Sequence, residues 1–226
     1  MHLKLYRSVH LSLLLFLSIT LGCAGLMRTS PNWAELMLNR LSLREKIAQM
    51  MIYRMNMSYK DIPIEKWEEI MNLIKGDGIG GIHLWAGDGS SSLVIMNKMQ
   101  ELSKIPILFD ADIEKGLKER FPSGTDLPPM MAIAATGNPQ NAYDAGRISG
   151  LEARTVGIHW NLSPVVDVNN NPENPIINTR SFGEDPDQVS EYAVHYIQGI
   201  QESGVLSTAK HFPGHGDTET DSHSSL

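Results

Sequence analysis

The chain of 226 residues contains a single cysteine, Cys23, so an internal disulfide is excluded and cross-linking contributes nothing to the fold. It is also short of positive charge. Nineteen Lys and Arg stand against 26 Asp and Glu, giving a formal net charge of -7 and a pI near 5.6. With no clustered Lys/Arg stripe, the basic face that nucleic-acid modules present is missing, and no nucleic-acid partner is expected. Long apolar runs are scarce as well. The longest, Leu11 to Leu21, falls short of the roughly 20 apolar residues that a spanning helix needs. What remains is the composition of a globular protein, 42% hydrophobic and 20% charged, which excludes disorder as the default state. The expected partner is a small or neutral molecule bound at a local site.

Residues 1–23 read as a targeting segment. Lys4 and Arg7 supply the positive start, the apolar run follows, and Gly22-Cys23-Ala24-Gly25 lies at the expected cut. A cysteine after a small residue resembles a bacterial lipoprotein signal in which the Cys23 thiol is acylated, although Thr20 stands where such signals usually carry Leu. Simple secretion and a retained anchor are the alternatives. On each reading the rest of the chain is exported, to the periplasm or the cell surface, and meets the membrane only through its N-terminus.

Residues 24–40 are expected to form a linker and a first helix, and residues 41–226 the main domain. Ser42 with Glu45 three residues later fits a capping box opening a helix over 43–49, followed by an apolar stretch at Met50 to Tyr53. Ile64, Trp67, Ile70, Met71 and Ile74 recur at helical spacing, and Gly76-Asp77-Gly78 ends that helix. Further helices are predicted over 91–103, 138–155 and 186–203, alternating with strands over 79–85, 105–110, 157–166 and 205–211. Alternating helix and strand predicts an α/β fold with a parallel sheet. Polar, irregular stretches follow the strands at 88–92, 110–129, 167–186 and 211–226. Chemistry at the C-terminal ends of four strands favours a (β/α)8 TIM-barrel-like fold over a doubly wound sheet. A full barrel takes about 250 residues and eight strands. About five β/α units are legible, so the barrel is expected to be truncated.

Gly76-Asp77-Gly78-Ile79-Gly80-Gly81 matches the letters of the dinucleotide fingerprint, but a helix precedes it and a strand follows, the reverse of what pyrophosphate binding needs. These glycines are read as a helix end and a tight turn. The densest chemistry lies in Lys210-His211-Phe212-Pro213-Gly214-His215-Gly216-Asp217, followed by Asp221-Ser222-His223. His211 and His215 have a zinc-compatible spacing, yet Pro213-Gly214 between them forbids the helix that would put both rings on one face. A calcium loop over Asp217, Glu219 and Asp221 lacks its glycine, since Ser222 occupies that place. No metal and no cofactor are expected. Asp112, Arg120 and Arg180 add charged groups at two other strand ends. Donors and acceptors converging from several loops suit a polyhydroxylated ligand, because each hydroxyl can give and take a hydrogen bond.

The chain resembles the N-terminal barrel domain of the glycoside hydrolase family 3 β-N-acetylglucosaminidases. The stretches that carry the resemblance are Leu41-Ser42-Leu43-Arg44-Glu45-Lys46-Ile47-Ala48-Gln49-Met50, Gly80-Gly81-Ile82, Asp112-Ile113-Glu114, Ser163-Pro164-Val165-Val166-Asp167-Val168, Arg180-Ser181-Phe182-Gly183-Glu184-Asp185-Pro186 and the Lys210 to Gly216 motif. The resemblance implies an exo-acting retaining hydrolase that removes terminal β-linked N-acetylglucosamine from peptidoglycan or chitin fragments. Asp112, Arg120, Arg180, Lys210 and His211 would grip the sugar hydroxyls. His223 would be the general acid/base and Asp221 its dyad partner, an imidazole being able to give and take a proton near neutral pH. Lys115 departs from the family's glycine after Glu114. The family's nucleophilic aspartate is expected beyond Leu226, and this 226-residue chain alone is expected to be inactive. A phosphorylase and a catalytically inactive sugar-binding remnant are the alternatives.

Overall fold

The computed structural model describes residues 32–58 and 62–224, so the reading of Cys23 and the leader falls outside the described residues. The chain divides into two compact units, residues 1–43 and 44–226. In the first, helix α1 spans Trp33–Arg40. Its start is fixed by Asn32 and Glu35, each side chain accepting from the other's backbone N–H at 2.9 and 3.2 Å.

Helix α2 (Leu43–Ala48) begins directly after Ser42, as the sequence indicates, and leads into strand β1 (Ile52–Met57). Helix α3 (Ile64–Asn72) continues into a wide π turn over Leu73–Asp77. That turn closes at Gly78, in the left-handed region at φ 72°, whose N–H reaches the Leu73 carbonyl at 2.8 Å. At Gly80 an added Cβ would overlap the Gln49 carbonyl, so the glycine-rich run is a helix stop and a close backbone approach. Strand β2 (Gly81–Gly87) follows, and then helix α4 (Gly89–Leu102). The polar loop expected at 88–92 is instead the first turn of α4. Asp88 caps it by accepting from the Ser91 N–H, and Ser92 is buried with its hydroxyl on the Met57 carbonyl.

Strand β3 spans Leu108–Ala111. A short helix α5 (Met130–Ala134), not foreseen from the sequence, precedes α6 (Gln140–Thr155), β4 (Trp160–Asn161), α7 (Pro186–Glu202) and β5 (Leu206–Ser207). The strands predicted over 157–166 and 205–211 are therefore much shorter. Beyond them the two segments stay joined by the parallel bridge between Val165 and Lys210 and by backbone hydrogen bonds such as Thr208 N–H to the Ser163 carbonyl.

Among the described residues, five strands pair in parallel in the order β1-β2-β3-β4-β5. Sequential order without a reversal is how a barrel wall grows, and it distinguishes this sheet from a doubly wound one. Alternate residues separate the two faces. Met55, Met57, Ile82, Leu84, Phe109 and Ala111 join the helices in one apolar core with Ile70, Ile95, Met99 and Tyr196. The opposite face carries Arg54, His83 and Asp110, which are in register on β1, β2 and β3. Helices α6 and α7 approach closely because glycines face each other's backbone. A Cβ at Gly146 would overlap the Tyr196 carbonyl, and one at Gly199 the Tyr143 carbonyl.

Candidate active site

The C-terminal end of β3 projects Asp112 and Glu114 two residues apart, which puts both carboxylates on one side of the chain as it leaves the sheet. Lys210, just beyond β5, meets both. Its Nζ lies 2.6 Å from Asp112 Oδ1 and 2.8 Å from Glu114 Oε1. Arg180, ending the short 3-10 turn Asn178–Arg180, forks onto Glu114 with Nε at 2.9 Å from Oε2 and Nη2 at 2.8 Å from Oε1. Burial pushes the Glu114 carboxyl up, but Arg180 and Lys210 outweigh it with hydrogen bonds and charge and hold it down at about 2. The Arg180 guanidinium is in turn raised, first by its hydrogen bond to Glu114.

Arg120 frames Asp112 from the other side. Its Nε donates to the Asp112 carbonyl at 2.7 Å, Nη2 lies 3.8 Å from Asp112 Oδ2, and its guanidinium stacks 4.6 Å from the Trp85 ring centre. The loop behind Glu114 is held by Glu119, whose Oε2 accepts from the N–H groups of Glu114 and Lys115 at 2.6 and 2.8 Å. Lys115 is thereby held in this loop through its backbone N–H.

Asp167 organises the histidine loop. Its Oδ2 meets His211 Nδ1 at 2.6 Å and its Oδ1 accepts from the His215 N–H at 2.7 Å. Burial raises the Asp167 carboxyl, and the His211 imidazole with the His215 and His211 N–H groups more than reverses this, leaving it below the usual range. Asn174 ties down the outer turn by donating to the His215 and Thr218 carbonyls at 2.7 and 3.0 Å. A Cβ at Gly216 would overlap the Val168 carbonyl, so the loop lies directly on the chain after β4.

Asp221 and His223 form a pair of their own. His223 Nδ1 lies 2.6 Å from Asp221 Oδ1, and the same oxygen accepts from the His223 N–H at 2.9 Å. That N–H, followed by the imidazole, lowers the Asp221 carboxyl. The His223 side chain is 74% exposed, leaving Nε2 open to solvent. Between the two, Ser222 Oγ lies 3.0 Å from His215 Nε2, which tethers the pair to the Asp167 loop.

Of the residues singled out from sequence, the structure therefore gathers Asp112, Arg120, Arg180 and Lys210 into one cluster and secures His211 through Asp167. Asp221 and His223 meet as a dyad. Among the described residues no ion pair joins that dyad to the Asp112 cluster. Sequence reasoning missed Glu114, Asp167 and Glu119 as site residues. Glu114 and Asp167 lie inside two of the family motifs, at strand ends, which was the available signal. Among the described residues no group of His, Cys, Asp or Glu has a metal-holding arrangement. The Nδ1 atoms of His211 and His215 face Asp167 and Thr218 respectively.

Residues 42–226 match the family described as the glycosyl hydrolase family 3 N terminal domain. A β-N-acetylglucosaminidase/β-glucosidase of Cellulomonas fimi is 33% identical over 191 residues, covering 84% of this chain and 33% of that protein. The solved family 3 β-N-acetylglucosaminidase of Paenibacillus sp. str. FPU-7 superposes with a TM-score of 0.73 at 34% identity, over 81% of this chain and 35% of that one. A β-glucoside phosphorylase, BglX, superposes with a TM-score of 0.78 at 28% identity, over 88% and 35%. The chain thus spans about a third of the length of these relatives. A match that takes in the Asp112 cluster, the Asp167 loop and the Asp221–His223 pair together places this chain in the glycosyl hydrolase family 3 N-terminal domain family.

Proposed function

We propose that the protein is an exported, retaining β-N-acetylglucosaminidase that removes terminal N-acetylglucosamine from peptidoglycan or chitin fragments. The observation that carries this reading is the Asp221–His223 pair at 2.6 Å on the loop beyond Lys210 and His211. The names of the Cellulomonas and Paenibacillus relatives agree with it.

Asp112, Lys210 and His211 bind the sugar hydroxyls, with Arg120 and Arg180 fixing the carboxylates between them. Asp112 accepts from a hydroxyl while Lys210 and His211 donate, and their mutual ion pairs keep them in place before the sugar arrives. Asp221 holds the His223 ring through Nδ1, so that Nε2 faces outward to protonate the leaving oxygen. In the second step the same atom takes a proton from water. Asp112, Glu114 and Asp167 are each committed to cations or N–H groups, which makes them unsuited to attack at the anomeric carbon. The nucleophile of retaining hydrolysis is a further carboxylate. Substituting His223→Ala in the full-length protein should slow glycosides with poor leaving groups at least about a hundredfold. Activated aryl glycosides should be slowed far less, and equal losses for both would exclude acid catalysis by His223.

A phosphorylase is the second reading, favoured by the superposition on the β-glucoside phosphorylase. A histidine acid/base adds no fixed negative charge against an incoming phosphate. Sugar 1-phosphate formed in phosphate buffer would select it over hydrolysis. For localisation, we read Cys23 as the acylated residue of a lipoprotein signal, supported by the charged start, the apolar run and the small residues around it.

A further inference from the structure

We infer that His83 and Asp110 are a positioning pair for the sugar site, setting the Asp112 carboxylate from beneath. This rests on the proposal that Asp112 binds the sugar.

The inside of a parallel barrel is ordinarily filled by layers of branched apolar side chains. Here the layer below Asp112 is polar. Arg54, His83, Asp110 and Trp160 are in register across β1 to β4, and Asp110 is 1% exposed. Asp110 Oδ1 lies 2.5 Å from His83 Nδ1, and its Oδ2 is enclosed without a hydrogen-bond partner among the described residues. A buried carboxylate that is half-satisfied is costly, and an apolar pair would pack in its place at no such cost. What the pair offers lies on the other edge of the ring. His83 Nε2 faces Asp112 Oδ2 at 3.5 Å, while Lys210 holds Asp112 Oδ1 at 2.6 Å.

Asp112 is therefore gripped on both oxygens, by Lys210 from β5 and by His83 with Arg120 from the β2 side. The ring stands between the two carboxylates, with Nδ1 on Asp110 and Nε2 towards Asp112. Asp110 fixes the orientation of the ring through Nδ1. The pair fixes which way the Asp112 carboxylate turns, and so which sugar hydroxyl it accepts from. Neither residue needs to touch the sugar.

The test is a double-mutant cycle in the full-length protein, reading kcat and KM on an aryl N-acetylglucosaminide and calorimetric binding of N-acetylglucosamine. His83→Leu should lower kcat/KM and sugar affinity about tenfold, within the range by which members of one ion-pair network couple. Asp110→Asn, which keeps the shape, should lower both in the same direction. In an Asp112→Asn background, His83→Leu should add less than about twofold, because its only route to the sugar has gone. Losses that multiply across the cycle, or a His83→Leu protein that binds and turns over normally, would overturn the role. An unaltered protein that neither binds nor turns over the sugar would instead remove the functional reading on which the role rests.

Discussion

Replacing Glu114 by Gln isolates the most heavily used charge in the site. The folded state holds this carboxyl at about 2 against an ordinary value of 4.5, because Arg180 and Lys210 favour its ionised form. Between those two pH values the unfolded chain binds the proton and the folded chain does not, so stability falls as the medium is acidified through the window. A tenfold change in proton affinity corresponds to about 1.4 kcal/mol, which makes the contribution on the order of 3 kcal/mol at neutral pH. The carboxylate side chain is only 12% exposed, so solvent screening removes little of it. In urea unfolding of the full-length protein, Glu114→Gln should cost on the order of 3 kcal/mol at pH 7. The gap should close as the pH is lowered from 4.5 towards 2. Asp167, also held below its usual range, gives a similar acid slope in both proteins and cancels in the difference. A gap that stays constant with pH, or one below about 0.5 kcal/mol at pH 7, would refute the reasoning.

Two other expectations concern packing and processing. Gly199→Ala should destabilise the domain by about 1–3 kcal/mol, seen as a lower urea midpoint, because the new methyl overlaps the Tyr143 carbonyl where α6 and α7 cross. An unchanged midpoint would mean that this crossing relaxes freely. Cys23→Ser should abolish incorporation of labelled fatty acid in cells and release the protein from the membrane fraction, whereas persistent labelling would exclude acylation at Cys23.

The helices were legible because their apolar residues recur at a clear period, as in Ile64, Trp67, Ile70, Met71 and Ile74, and because glycines mark their ends. The strand ends were not. Apolar residues continue past Asn161, yet the Asn161 side chain bonds the Ile113 backbone through both Oδ1 and Nδ2 at 3.0 Å, and the chain leaves the sheet there. Helix α5 was hidden because five residues after Pro128-Pro129 are too few to show a period. In the site, the motif resemblance picked out Asp112, Arg120, Arg180 and Lys210, which the structure gathers into one charged cluster. It did not single out those that hold them, although Glu114 and Asp167 stand inside its motifs, and Glu119 acts on backbone N–H groups that no sequence pattern displays. His83 did leave a signal, as a single histidine amid the apolar residues of β2. Its meaning depends on β3 standing beside it in register.

The central claim is retaining release of N-acetylglucosamine, and the anomer formed first tests it most directly. Proton NMR of the full-length protein acting on an aryl β-N-acetylglucosaminide should show the β-anomer before mutarotation. The rate should fall at least about tenfold in Asp112→Asn. Initial appearance of the α-anomer, or no release of N-acetylglucosamine at all, would contradict the account.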